Sequence, residues 1–192
     1  MWLAPSLVLV GYLLGSVSPA LIAARRAGVD LYAEGSGNPG ATNVGRVLGK
    51  RTGRVVLVLD VLKGLLPTLA VIGLGLGWAW VGAVGFSATL GHCYPIWHRF
   101  RGGKGAATAA GAMLASVPLA GAIAIVAYVA LKRISRRASV GSLAGACAGA
   151  LVASLVAPHP ALVWMAWGIA ALVFLRHHDN VARLWRGTEP ES

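Results

Sequence analysis

Four polar segments carry most of the side chains in this chain that could do chemistry. The first runs from Glu34 to Arg46 and includes Gly35, Ser36, Gly37, Asn38, Gly40, Thr42 and Asn43. Glycines at this density let the backbone turn sharply and aim N–H groups at an oxyanion. Ser36, Asn38, Thr42 and Asn43 add short donors, and Arg46 adds a forked cation suited to phosphate. The plain alternative is a polar turn between helices, but a connector needs far fewer residues. The second segment, Gly91 to Gly105, ends in Gly102-Gly103-Lys104-Gly105 and opens into an apolar run. A helix starting there presents free N–H groups and a positive dipole end, and Lys104 adds a mobile charge. P-loop spacing is absent, so no nucleotide site follows. A basic stop cluster explains Arg99 and Arg101 but not the glycines around Lys104.

The third segment places Ser139 and Ser142 three residues apart after Arg136-Arg137, so both can face one side of a starting helix. N-capping is an equally good account of either serine. The fourth, Arg176 to Glu189, sets His177, Asn180 and Leu184 on one face of an amphipathic helix. An interfacial helix explains Val181, Leu184 and Trp185 but requires neither His177 nor Asn180. With only six acidic residues in the chain, no metal site is expected. Asp60 and Lys63, at i and i+3 inside an apolar run, can pair. Ionisable residues in such a place are functional suspects by default, but a place near the inner interface favours a structural pair over a catalytic one.

The elements that must position these segments are membrane spans. A mean hydropathy of +0.71 and 12% charged residues are too apolar for an ordinary soluble domain. The net charge of +11 suggests nucleic acid, but basic nucleic-acid domains are soluble folds, so none is expected. Positive-inside topology accounts for the charge instead. All lysines and arginines except Lys63 fall in clusters between apolar runs. Since about 20 apolar residues cross a bilayer, residues 2–24, 55–75, 78–97, 140–157 and 161–175 read as spans. The 27 residues of 105–131 read as two short helices turning near Ser116-Val117-Pro118, because a single span would strand Lys132, Arg133, Arg136 and Arg137 outside. The expectation is an all-α polytopic membrane protein with seven transmembrane helices, two of them short, N-terminus out and C-terminus in.

Trp2, Trp78 and Trp80 would mark the outer interface and Trp97 and Trp185 the inner one, with Trp164 and Trp167 as deeper packing residues. Cys93 and Cys147 read as free thiols. The N-terminal run has its basic pair after it, so it reads as a retained span and not a cleaved signal. Residues 1–192 form one membrane-embedded domain without internal repeats.

Together the four segments resemble the bacterial acyl-phosphate:glycerol-3-phosphate acyltransferases, the PlsY family. The likeness rests on Gly35 to Asn43 (GSGNPGATN), Gly91 to Pro95 running into Gly102 to Gly105, Ser139 to Ser142, and His177 with Asn180 before Arg183-Leu184. Leu59 to Gly64 and Gly15-Ser16 also fit. Arg101, Trp97, His178-Asp179 and Arg136-Arg137 depart from the family's usual residues without removing an essential one. The resemblance implies a seven-helix enzyme of the cytoplasmic membrane, with its site facing the cytoplasm. It implies acyl transfer from acyl phosphate to the 1-hydroxyl of sn-glycerol 3-phosphate, giving lysophosphatidic acid and inorganic phosphate in phospholipid synthesis. Neither cofactor nor metal is implied, and a monomer is the simplest expectation.

On that basis His177, Asn180, Lys104 and Ser142 are the expected catalytic residues. Ser36, Gly37, Asn38, Gly40, Thr42, Asn43, Arg46, Gly102, Gly103 and Ser139 are the expected substrate-binding ones. Arg46, Lys104 and His177 would hold one phosphate, the first loop and Ser142 the other, and Asn180 would orient the acceptor. The His-x-x-x-x-Asp signature of soluble-donor acyltransferases is missing, since no histidine has an aspartate five residues on. An acyl phosphate has a good leaving group, so orientation and charge stabilisation suffice. The attacking hydroxyl would lose its proton to a substrate phosphate oxygen or to His177. A transporter would show repeated halves broken at mid-membrane. A phosphatidyl-alcohol transferase would need an aspartate-rich metal motif, and a structural subunit would need no such polar motifs.

Overall fold

The computed structural model describes residues 2–192, and among them there is no β-strand. The helices are α1 (Leu3–Ser16), α2 (Pro19–Arg26), α3 (Ala41–Val47), α4 (Lys50–Gly73), α5 (Trp78–Cys93), α6 (Ala106–Ser116), α7 (Pro118–Ser135), α8 (Ala138–Val156), α9 (Pro160–Arg176) and α10 (His178–Trp185). Prolines set several starts. Pro19, Pro118 and Pro160 each occupy a first-turn position, where a missing N–H costs nothing. Ser18 accepts a hydrogen bond from the Leu21 amide at 3.2 Å, so α1 and α2 meet at a capped break within one apolar stretch.

Four stretches are long and apolar enough to cross a membrane: Leu3–Arg26, Lys50–Gly73, Pro118–Ser135 and Ala138–Val156. Pro160–Arg176 with His178–Trp185 makes a fifth if the pair, bent by 59°, is one broken span. The turn expected near Ser116-Val117-Pro118 is present, with Val117 in a non-helical conformation between α6 and α7. Of that pair only α6 is short. Helix α7 runs on through Lys132 and Arg133 to Ser135, because straight-chain basic residues suit a last helical turn.

The packing places small residues inside and large ones outside. Ala88, Ala112, Ala120, Ala150, Ala153 and Ala166 are fully buried, whereas Leu155 is 84% and Trp164 77% exposed. Lipid tails would cover that outer surface, and small residues let the backbones approach. The tryptophans of α9 correct the expectation of deep packing. Leu162, Met165, Ala166, Ile169 and Ala170 take the inward face, so Trp164 and Trp167 point outward. The Trp167 indole N–H donates to Ser154 Oγ at 3.0 Å.

Two close crossings fix the bundle. A methyl on Gly64 would run into the Thr108 carbonyl, and one on Gly111 into the Val61 carbonyl, which holds α4 against α6. Gly15 meets the Ala88 carbonyl and Gly91 the Tyr12 carbonyl in the same way, which holds α1 against α5. Overpacking such a contact costs roughly 1–3 kcal/mol. Gly111→Val should therefore lower the melting temperature of detergent-purified protein by several degrees. Gly73→Ala, with no heavy atom within 4 Å of the added carbon, should leave it unchanged.

Candidate active site

The first polar segment is stitched by one buried amide. Asn43, in the first turn of α3, accepts from the Ser36 amide at 2.8 Å and donates to the Glu34 carbonyl at 2.9 Å and the Leu31 carbonyl at 3.4 Å. Gly35 and Gly37 complete the loop with positive φ angles of 61° and 67°. In the last turn of α3, Arg46 donates through Nη2 to the Glu191 carbonyl at 3.0 Å.

The second segment is clamped from three sides. Arg176 donates from Nη2 to the Gly102 carbonyl at 2.8 Å and from Nε to the Gly103 carbonyl at 3.1 Å. The Gly103 amide donates to the His92 carbonyl at 3.1 Å. Tyr32 donates to the Arg101 carbonyl at 2.6 Å, with the Arg101 guanidinium 4.5 Å from its ring centre. Gly105, with φ of 83°, then opens α6 and leaves Lys104 facing Asn180.

Lys104 Nζ donates to Asn180 Oδ1. Burial is the main cause that lowers the Lys104 pKa to about 8; Arg183 and Arg176 add to it and Glu189 opposes it. His177 lies at the bend between α9 and α10, past the end of the apolar helix, and not inside a helix with Asn180 and Leu184 as its spacing suggested. The Val173 carbonyl can only accept, so the 2.7 Å contact makes His177 Nδ1 the protonated nitrogen and leaves a lone pair on Nε2. Burial drives the His177 pKa down to about 4, with Lys104 and Arg176 contributing, so the ring is neutral near pH 7.

Neither serine of the third segment caps α8. Ser142 Oγ donates to the Ala138 carbonyl at 2.9 Å, and Ser139 Oγ donates to Glu189 Oε1 at 2.7 Å. Glu189 is the residue that the sequence reading gave no role. Its Oε1 also accepts from Asn180 Nδ2 at 2.6 Å, its Oε2 takes the Arg183 guanidinium at 2.7 Å, and its carbonyl accepts from Arg137 Nε at 3.1 Å. Burial would raise its pKa, but the hydrogen bonds from Ser139, Asn180 and Arg183 outweigh that and hold it below the usual carboxylate value. The available signal was an acidic residue directly after the amphipathic helix in a chain nearly devoid of acids.

These groups surround one cavity of about 390 Å³. Ser36, Asn38, Gly40, Thr42, Asn43, Arg46, Lys104, Ser139, Ser142, His177, Asn180, Arg183 and Glu189 line it, with Asp60 and His92. Its other wall is apolar: Leu57 and Val61 of α4, Ala109 and Met113 of α6, Ile125 and Val129 of α7, and Ile169 of α9. Gly37, Gly102 and Gly103 stand outside the lining and shape the loops behind it. The cavity therefore offers cations and donors at one end and hydrocarbon along the other.

Fold and site together define a helical membrane protein whose cavity combines cations and hydrogen-bond donors with an apolar wall. The family model described as glycerol-3-phosphate acyltransferase matches residues 6–187, and the chain belongs to this family. The glycerol-3-phosphate acyltransferase of Geobacter sulfurreducens is 44% identical over 183 residues, covering 95% of this chain and 94% of that one. That of Thioalkalivibrio sulfidiphilus is 43% identical over 192 residues, covering 100% of this chain and 95% of its own. Crystal structures of PlsY (YgiH), an integral membrane glycerol 3-phosphate acyltransferase, superpose with a TM-score of 0.94 for the glycerol 3-phosphate form, at 37% identity over 98% of this chain and 95% of that one. The lysophosphatidic acid form gives 0.91 at 37% identity, over 98% and 94% of the two chains.

The Glu189 carboxylate ties α8, α10 and the tail together through charge-assisted hydrogen bonds, each worth roughly 1.5–3 kcal/mol. Glu189→Ala should lower the melting temperature of the purified protein more than Glu189→Gln, which keeps one acceptor oxygen for Ser139 and Asn180.

Proposed function

We propose that this chain transfers a fatty acyl group from acyl phosphate to the 1-hydroxyl of sn-glycerol 3-phosphate, releasing lysophosphatidic acid and inorganic phosphate. The observation that carries this reading is the single cavity with phosphate-binding groups at one end and an apolar wall at the other. Acyl phosphate has that same division, and family membership supports the acceptor. Helix α6 lies between α4 and α7, and Leu57, Ile125 and Val129 are exposed on the outer side. A tail entering between α4 and α7 would stay in lipid while its head reaches the loops.

In this mechanism Arg46 and Lys104 hold the acceptor phosphate, the Glu191 carbonyl giving way at Arg46, and Ser142 joins the first loop at the other phosphate. The first loop holds the acyl phosphate. The acceptor oxygen forms the new ester bond to the acyl carbon, the carbon–oxygen bond to phosphate breaks, and phosphate leaves with the electron pair. A pKa of about 4 makes His177 a weak base. The hydroxyl proton therefore goes to a phosphate oxygen, and His177 Nε2 and Asn180 orient the acceptor. No step needs a metal or cofactor. One chain supplies the lining of the cavity, so this reading needs no residue from a partner. The charge pattern supports seven crossings, with the site facing the cytoplasm from the inner membrane.

Purified protein given acyl phosphate, glycerol 3-phosphate and a chelator should release phosphate and lysophosphatidic acid in equal amounts. Turnover with acyl-CoA or acyl carrier protein but not acyl phosphate would refute the donor. Arg46→Ala and Lys104→Ala should each cut kcat/KM by about 100-fold or more if they align a reacting group.

The pH profile follows from Lys104. Its charged form binds phosphate, and that form is lost as pH rises through about 8. The kcat/KM for glycerol 3-phosphate, which reports the free enzyme, should fall above that pH. Lys104→Arg should abolish the fall.

A further inference from the structure

Asp60, Lys63 and His92 form a buried ionisable cluster that the mechanism above does not use. Asp60 is 2% exposed, and its Oδ1 lies 3.0 Å from Lys63 Nζ and 3.5 Å from His92 Nδ1. Lys63 spends a hydrogen bond on the Val17 carbonyl at 2.9 Å, at the break between α1 and α2. Asp60 Oδ1 and His92 Nδ1 make no aligned hydrogen bond. A buried ion pair with incomplete hydrogen bonding is weak support for a fold, because desolvation offsets the attraction. Stability is therefore an incomplete account of this cluster, although Lys63 does tie α4 to the break between α1 and α2.

Its location supplies the rest. Asp60 and His92 both border the cavity beside Lys104. The His92 carbonyl accepts from the Gly103 amide, and its imidazole lies so close to Gly103 that a methyl there would collide with Nε2, Cε1 and Cδ2. The ring is thus committed to the backbone immediately before Lys104. Arg176 takes the opposite side of the same two residues through the Gly102 and Gly103 carbonyls.

We propose that Asp60 and His92 are positioning residues for the transfer reaction: the Asp60 carboxylate faces the His92 imidazole at 3.5 Å and biases its orientation, and His92 packs on Gly103 so that Lys104 keeps its place against phosphate. Lys63 neutralises Asp60, so the carboxylate does not repel an anion entering the cavity that Asp60 and His92 border. This proposal rests on the acyl-transfer reading, and wild-type turnover of acyl phosphate with glycerol 3-phosphate is the control that separates the two. Absence of turnover in the wild type refutes that reading and this proposal with it. Turnover with unaltered kinetics in the variants below refutes the positioning role alone.

The test is a double-mutant cycle on purified protein with KM and kcat measured separately. Asp60→Ala and His92→Ala should each raise the KM for glycerol 3-phosphate about tenfold or more, because displacement of a binding group by about an ångström is that costly. The KM for acyl phosphate should change little. Asp60→Asn, which keeps the side chain's volume and an oxygen facing His92, should restore most of the affinity. In a Lys104→Met background the same substitutions should add no more than about twofold, since the loop then has no ammonium to place. Equal effects with and without Lys104, or a lowered melting temperature with unchanged KM per folded molecule, would overturn the proposal. If Asp60→Ala does not fold, the cycle is run with His92→Ala and His92→Gln, and additivity there overturns the proposal in the same way.

Discussion

Lys104 is held by an amide oxygen and not by a carboxylate. A carboxylate on the ammonium would neutralise it and compete with any phosphate. The Asn180 oxygen fixes its position and leaves its charge unspent. The Asn180 nitrogen is in turn anchored on Glu189, whose other oxygen is taken by Arg183. The negative charge that holds the arrangement together thus stands one side chain away from the Lys104 ammonium. The bend at His177, the glycines before Lys104 and the start of α8 all serve to bring these three groups within hydrogen-bonding reach.

Much of this was legible in the sequence because membranes impose a simple grammar. Apolar runs ended by arginines mark helices, and the Ser116-Val117-Pro118 break followed from charge alone. Long glycine-rich loops between spans are more than connectors, and Ser36, Arg46, Lys104, Ser142 and Asn180 do line one cavity.

What stayed hidden depended on three-dimensional closure. Nothing local marks Glu189 as the partner of Ser139, fifty residues away in sequence. The i, i+3 spacing of His177 and Asn180 suggested one helix, whereas the chain bends by 59° at His177 and the two side chains approach the cavity from a hinge. Trp164 and Trp167 resemble core residues by size. In a bundle whose core mixes alanine and glycine with valine, leucine, isoleucine and methionine, however, the indoles of α9 are left at the perimeter.

That inverted arrangement of sizes carries a consequence for how such a chain tolerates change. In a soluble protein the perimeter is permissive toward polarity and the centre toward repacking among aliphatics. Here the perimeter accepts any greasy side chain, since fluid hydrocarbon adapts to its outline, but refuses charge. The centre, at contacts such as Gly64 with Thr108, has no room for even one extra carbon. Variation in volume and variation in polarity are therefore confined to opposite surfaces of each helix, and a substitution table drawn from water-soluble folds would misjudge both.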